Sequence, residues 1–193
     1  MRRIRVFVDD AIALGEPLVL NSFVTDHLLK VLRLTRGAPV TVFNGDGRDY
    51  DGTLEVASKS AACVIVQAAV PAAPESPLAL TLAQSVARGE KMDLILQKAT
   101  ELGVAHIVPL VSERTEVRLD EDRAGRRVAH WERVVQGACE QSGRAVVPSI
   151  AAPVALPVYV PPVRLQPIDA VPPPEDDMGD FDDADAPPAE AFD

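Results

Sequence analysis

The residues most suited to chemistry in this sequence are basic and amide side chains that follow an apolar segment. Gln84, Arg88 and Lys91 come at or just after the end of the apolar stretch LALTLAQ, near the predicted start of a helix. The free N–H groups of a helix N-terminus and the helix dipole favour an anion such as phosphate. We therefore expect anion binding at this point, with an ordinary solvated loop as the alternative reading.

A second charged group follows the next apolar segment, HIVPLV. Open α/β sheets bind ligands beyond the carboxyl ends of their strands, so this group and the first are predicted to share one edge of a sheet. Arginine and lysine at that edge suit the phosphates of an RNA backbone. The members of this second group are Ser112, Glu113, Arg114 and Arg118.

A third group lies on a helix predicted within SFVTDHLLKVLRL. His27, Lys30 and Arg33 fall on roughly one side of it, either as an RNA-contacting patch or as a solvated helix face. The opposite side carries an apolar stripe, made of Val24, Leu28, Val31 and Leu32. The predicted caps are Ser22 or Thr25 at the start and Gly37 just past the end.

Other chemistries find no support in the residue pattern. His106 and His130 lack metal-ligand spacing, and two separated cysteines make no zinc site. No nucleophile, base and orienting residue occur together, and neither GxGxxG nor a phosphate-loop motif is present. We expect no metal, and we expect Cys63 and Cys139 to be buried, inert thiols.

Hydrophobic periodicity divides the chain into a strand-rich part and a part that alternates strands and helices. Residues 1–70 contain several short alternating segments with GDG at 45–47 as a hairpin turn, which predicts a small β-barrel. Residues 71–77 are proline-rich and read as a linker. Residues 78–150 predict the opening of a parallel α/β domain whose sheet edge and one face are left uncovered.

The second part has specific expectations for its core. LALTLAQ is apolar on both faces, as in a buried parallel strand, and Gly103 is expected to end the helix that follows. VVPSI is predicted to form the last strand. The buried faces of the two helices are predicted to consist of Met92, Ile95, Leu96, Ala99 and Leu102, and of Val128, Trp131, Val135 and Ala138.

The composition changes abruptly near the end of the sequence. Residues 151–193 contain ten acidic residues against Arg164 alone, and ten of the 17 prolines. Such a segment cannot bury enough apolar surface to offset its chain entropy, which predicts a disordered acidic tail. The N-terminus lacks a signal-peptide pattern and no apolar run reaches about 18 residues, so we expect a cytoplasmic protein without a membrane partner.

Several motifs together resemble one family, that of ribosomal RNA small-subunit methyltransferase E. The resemblance covers about residues 1–150 and is most specific in its longest block and in EQSGR. Its motifs are HLLKVLR at 27–33, VFNGDGRDYDG at 42–52, GEKMDLILQKATELGV at 89–104, IVPLVSERT at 107–115, and ACEQSGRAVVP at 138–148 after Trp131.

The resemblance implies a PUA-like barrel that holds RNA, followed by a SPOUT-type α/β domain. It also implies transfer of a methyl group from S-adenosylmethionine to N3 of a uridine in 16S rRNA of the small ribosomal subunit, by a homodimer that binds the cofactor in a trefoil knot. The residues expected to contact RNA or the active edge are Arg33, Lys91, Arg114 and Arg144, with Gln84 and Gln141 lining the cleft.

The family's knot and its GPEGG-type loop fall after the position of Ile150, and no such text follows in this sequence. The expectation is a truncation or frameshift near residue 155 that removes the cofactor pocket, impairs methyl transfer and argues against the homodimer. The alternatives are a non-catalytic RNA-binding module that uses His27, Lys30 and Arg33, and an aggregating fragment with an uncovered sheet edge.

Overall fold

The computed structural model describes residues 4–58, 60–112 and 121–156, and the side chains of these residues except 121 and 122. The described residues belong to one compact unit. The predicted disordered tail lies almost entirely outside the described residues.

Five strands form a mixed sheet, which we call the β-domain. The strand order is β1-β3-β4-β5-β2, with β1 parallel to β3 and the other pairs antiparallel. β2 was not predicted because three residues are too few to show alternation. The strands are β1 (Arg5–Phe7), β2 (Pro17–Val19), β3 (Pro39–Phe43), β4 (Arg48–Ser58) and β5 (Ala61–Pro71).

The alternation predicted for the long strands is confirmed. Leu54 of β4 and both Val64 and Val66 of β5 are fully buried, while their sequence neighbours face outward or are half-buried. The predicted GDG turn joins β3 to β4, and Gly45 and Gly47 adopt the positive φ that a tight hairpin needs.

The predicted helix is two shorter elements. α1 (Ser22–Asp26) is followed by a π-helical turn at His27–Val31, in which the Leu32 N–H donates to His27 five residues back. The wider turn rotates the later side chains away from the core. Burial of Val31 and Leu32 was therefore predicted wrongly, since Val31 is 66% and Leu32 39% exposed.

Both ends of this segment also differ from the prediction. Asn21, rather than Ser22 or Thr25, caps α1, because its Oδ1 accepts the Val24 N–H at 2.9 Å. At the other end the helix already stops at Arg33, which takes the left-handed conformation with φ of 55°, and not at Gly37, whose positive φ belongs to the following turn.

A second sheet, with α2 and α3 packed together beside it, forms what we call the α/β-domain. All its strand pairs are parallel, as predicted, with β7 between β6 on one side and β8 and β9 on the other. Its elements are β6 (Thr81–Ser85), α2 (Glu90–Glu101), β7 (His106–Val111), α3 (Glu121–Ser142), β8 (Ser149–Ile150) and β9 (Val154–Ala155).

Most of the predicted helical core is confirmed. Met92, Leu96, Trp131 and Val135 are at most 2% exposed, and Gly103 ends α2 with positive φ. Leu102 is a wrong prediction at 80% exposed, because it lies past the last turn of α2. The prediction of a strand buried on both faces is also wrong, since β6 lies at an edge of the sheet and alternates exposed and half-buried residues.

The two domains are joined by a buried arginine of β1. Arg5 makes a bidentate pair with Asp49 of β4 at 2.6 and 3.1 Å, and its guanidinium lies 4.5 Å from the ring centre of Phe43. The same group donates to the carbonyl oxygens of Cys139 at 2.7 Å and Arg144 at 3.3 Å. One side chain thus ties β1 and β4 to the C-terminal end of α3.

A second contact at the joint holds a carboxyl group. Oε1 of Glu140 on α3 accepts the Phe7 N–H at 2.9 Å. Burial raises the pKa of this carboxyl, and the effect is only partly offset by the Phe7 hydrogen bond and by the charges of His27 and Arg5.

Arg144 of the α/β-domain holds the predicted linker in place. Its guanidinium binds Glu75 at 2.7 Å and donates to the carbonyl oxygens of Thr100 and Val104, both at 2.9 Å. Only 11% of the Arg144 side chain is exposed. Residues 71–77 are therefore anchored to the end of α2.

Replacement of Arg5 by alanine leaves Asp49 buried without its partner, so we expect a loss of about 3–5 kcal/mol in the free energy of unfolding. Urea denaturation followed by circular dichroism measures this. The control is Lys30→Ala, which breaks an exposed i,i+4 pair with Asp26 and is expected to cost under about 0.5 kcal/mol. A loss below about 1 kcal/mol for Arg5→Ala would contradict the proposed clamp.

The raised pKa of Glu140 predicts a pH dependence of stability. Between the unfolded value, near 4.5, and the higher folded pKa, the folded state binds more protons than the unfolded state. Stability is therefore expected to fall as pH rises through that window, and Glu140→Gln should remove this component while keeping an acceptor for Phe7. Unfolding midpoints of parent and variant between about pH 4 and 8 check this; parallel profiles would contradict it.

Candidate functional site

An open cavity of about 510 Å³ lies between the N-terminal halves of α2 and α3. We call it the arginine cavity. Buried Met92 and Trp131 contribute its apolar part, and residues at the carboxyl end of β6 border it. Its charged and polar lining consists of Glu90, Asp93, Arg123, Arg126, Arg127 and His130.

The cationic side of this cavity comes from α3. Arg123, Arg126, Arg127 and His130 are spaced three, four and seven residues apart, which places them on one helix face. His130 is held by Asp93 at 2.9 Å. Arg126 and Arg127 make no hydrogen bond or ion pair with any described residue. Two guanidinium groups are thus available to an external anion.

These arginines were not among the site residues predicted from the sequence. Their signal was the spacing of RAGRRVAH at 123–130, which repeats basic residues at helical intervals. The predicted anion site was the start of α2 instead, yet Glu90 and Asp93 occupy the first turn of this helix and already complement its dipole. The arginines of α3 are therefore better suited to hold an anion.

A second cavity, of about 340 Å³, lies between the β-domain and the C-terminal half of α3. We call it the interdomain cleft. It combines an exposed aromatic ring, Phe23, with His27 and the Glu140 carboxyl, whose pKa is raised by burial. The complete lining is Val6, Phe7, Asp9, Asn21, Phe23, Val24, His27, Arg133, Gln136, Gly137 and Glu140.

Of the predicted residues in the described ranges, only His27 lines either of these cavities. Lys30 is exposed and pairs with Asp26 at 2.7 Å. Arg33 is exposed and follows the π-helical turn, and Lys91 is exposed in the first turn of α2.

The remaining predicted residues have other surroundings. Gln84 donates to the Ser85 carbonyl at 2.8 Å. Gln141 is exposed and already takes part in an interaction within the protein. The Arg144 guanidinium is engaged within the protein by Glu75 and two carbonyl groups. Arg114 lies outside the described residues.

Within the described ranges, no cluster of three or more His, Cys, Asp or Glu side chains could hold a metal ion. The same residues include no helix that is both long and apolar enough to cross a bilayer. Cys139 is buried, and burial raises the pKa of its thiol to about 11. Cys63 is half-buried, which differs from the burial predicted for both thiols.

Two family models match this chain. One describes an RNA methyltransferase PUA domain and matches residues 25–67, and the other describes an RNA methyltransferase domain and matches residues 74–160. The first match lies within the β-domain but does not include β1 and β2, and the second contains all the strands and helices of the α/β-domain.

Curated relatives carry the name ribosomal RNA small subunit methyltransferase E. The protein from Buchnera aphidicola of Schizaphis graminum is 29% identical over 150 residues, and that from Bacillus subtilis is 29% identical over 124 residues. The matches cover 77% and 64% of this chain, and 61% and 48% of those relatives. The chain thus spans about half to three fifths of their length.

Two solved structures are similar to this chain in both fold and sequence. Ribosomal RNA small subunit methyltransferase E from Neisseria gonorrhoeae, bound to S-adenosylmethionine, is 38% identical with a TM-score of 0.75. A Legionella pneumophila protein in complex with the same cofactor is 35% identical with a TM-score of 0.77. Each match covers 80% of this chain, and 63% and 64% of the respective structures. The domain matches, the named relatives and the shared fold together show that this chain belongs to the ribosomal RNA small subunit methyltransferase E family.

Proposed function

We propose that this chain recognises RNA for a methyltransferase that modifies small-subunit ribosomal RNA, with N3 of a uridine in 16S rRNA as the acceptor. The observation that carries the RNA part is the pair of guanidinium groups of Arg126 and Arg127, which have no partner among the described residues and lie beside the carboxyl end of β6. Arginine there can neutralise backbone phosphates. Membership of the family supports the reaction, and the resemblance of the sequence motifs supports the uridine.

Uridine N3 carries a proton that it must lose before it can accept a methyl group. S-adenosylmethionine, the cofactor of the two solved relatives, supplies an electrophilic methyl group when bound. The protein's largest contribution is positioning of the reactants, which can lower the activation barrier by roughly 7–11 kcal/mol relative to separated reactants. Binding the RNA in a fixed orientation is the share of this task that we assign to the described residues.

The described residues do not fit S-adenosylmethionine. None of their buried side-chain nitrogen or oxygen atoms lacks a hydrogen-bond partner, so no vacant polar cradle marks a nucleoside site. The arginine cavity is bordered by three guanidinium groups against the carboxylates of Glu90 and Asp93, and this excess of positive charge disfavours a sulfonium cation. We therefore propose that the 193-residue chain by itself binds RNA without methylating it.

A second candidate function is a non-catalytic RNA-binding module centred on the β-domain. It is favoured by the backbone of Arg33, which keeps φ of 55° where glycine is the usual residue. For a non-glycine residue this conformation costs about 1 kcal/mol. An exposed arginine at such a position suits a functional contact better than a purely structural role.

Removal of the two guanidinium groups should weaken RNA binding through electrostatics. For Arg126→Gln/Arg127→Gln we expect lower affinity for small-subunit rRNA and a slope of log K against log salt that is less negative by about 1.4, or about 0.7 per lost phosphate contact. Fluorescence anisotropy at several salt concentrations measures both.

The control is Arg36→Gln/Arg48→Gln, which removes the same charge from exposed positions of the β-domain. An equal change in slope for both double variants would show a general charge effect and contradict the arginine site. If Lys30→Gln/Arg33→Gln alone changes the slope, the module centred on the β-domain is the better description.

The proposed reaction is tested with small ribosomal subunits from cells that lack this gene. Mass spectrometry should show that their 16S rRNA is deficient in 3-methyluridine. A 3-methyluridine content equal to that of cells with the gene would contradict the proposed acceptor. Radiolabelled S-adenosylmethionine and the purified chain should leave these subunits unlabelled although the chain binds them. Incorporation of label would show that the chain contains a donor site after all.

A further inference from the structure

The interdomain cleft presents a large aromatic side chain to solvent. Phe23 is 70% exposed, whereas its neighbours Val24 and Leu28 are buried and anchor the segment in the β-domain. An exposed aromatic ring on an anchored segment beside a cavity is a stacking surface for a nucleobase, and such stacking is worth about 1–3 kcal/mol per base. The volume of about 340 Å³ is at the small end of ligand cavities.

The charges of the cleft distinguish it from the arginine cavity. Asp9 and Arg133 carry opposite charges that offset each other, and the lining adds the Glu140 carboxyl and the His27 imidazole. The raised pKa of Glu140 further disfavours a full negative charge there. A balanced cavity gives little attraction to a phosphate group and suits a neutral polar ring, while exposed Arg133 can meet the phosphate attached to it.

The cleft also contains groups that can hydrogen-bond to the edge of a base. Gln136 carries both donors and an acceptor, and it makes no hydrogen bond with any described residue. Unpaired bases in RNA are recognised by this combination of stacking on an aromatic ring and hydrogen bonding at the base edge.

α3 connects the cleft to the arginine cavity. Arg126 of the arginine cavity and Arg133 of the cleft are seven residues apart, so they lie on one face of α3 about 10.5 Å from each other along its axis. Arg133, like Arg126, has no partner among the described residues. The two guanidinium groups form a path along which a single strand can continue from one cavity to the other.

We propose that the interdomain cleft binds one unpaired nucleobase of the RNA, stacked on Phe23 and hydrogen-bonded to Gln136, with Arg133 against the adjoining phosphate. This subsite rests on the proposed function, since it assumes that the chain binds RNA. It assigns recognition of single-stranded RNA to a surface that neither domain forms alone.

The test compares Phe23→Ala with the parent in anisotropy titrations of a fluorescent, unstructured oligoribonucleotide of about 12 nucleotides. We expect roughly tenfold weaker binding with an unchanged salt slope, because stacking releases no counterions. Phe23→Leu should lose affinity to a similar degree, since leucine has no aromatic face, and Phe23→Trp should retain it. Circular dichroism should show all three variants folded, as Phe23 is mostly exposed.

Two further readouts make the site specific. Binding should quench the emission of the tryptophan introduced by Phe23→Trp by more than it changes the emission of the parent, whose Trp131 is 2% exposed and borders the arginine cavity. An oligonucleotide that lacks the stacking base should bind the parent and the Phe23→Ala variant with equal affinity.

The outcomes separate this proposal from the proposed function. If Phe23→Ala or Phe23→Leu binds within twofold of the parent while Arg126→Gln/Arg127→Gln binds more weakly, the base site is wrong and RNA recognition stands. If the parent chain binds neither the oligonucleotide nor small-subunit rRNA, both proposals fail. A matching loss for Arg36→Gln/Arg48→Gln in the same titration would also overturn the site, since those residues lie outside the cleft.

Discussion

The buried guanidinium of Arg5 is the contact on which the arrangement of the two domains depends. Only 8% of its side chain is exposed, and desolvating a charge to this extent is tolerated only when hydrogen bonds satisfy it. Asp49 supplies the opposite charge within the β-domain, and two carbonyl oxygens at the end of α3 accept the remaining donors. A lysine could not reproduce this geometry, because its ammonium lacks the planar fork of donors.

This clamp has a consequence for recognition. By fixing the C-terminal half of α3 against the β-domain, Arg5 and the Phe7 contact to Glu140 create the interdomain cleft. The N-terminal half of the same helix carries the arginine cavity. α3 therefore presents two chemically different surfaces, one cationic and suited to phosphates, the other balanced in charge and suited to a base.

The two surfaces also explain why general basicity is a poor guide to this protein. Its formal net charge is −10, and an RNA-binding surface must then be a local feature. Several of its arginines are not available to RNA at all. Arg5 and Arg144 are held by carboxylates and carbonyl groups inside the protein, whereas Arg126, Arg127 and Arg133 have no described partner.

Local pattern was sufficient to predict the strands of β4 and β5, the parallel order of the α/β-domain and the buried faces of α2 and α3, because backbone periodicity decides which side chains share a face. It failed at Val31 and Leu32, where a π-helical turn changes the period, and at Arg33, whose positive φ no propensity predicts.

Only the tertiary structure decided which arginines are engaged and where the interdomain cleft lies. The clamp joins Arg5 to Cys139, and the cleft joins Phe23 to Glu140, residues more than 100 positions apart. Contacts of that kind depend on how the domains pack, and the order of residues along the chain does not specify them.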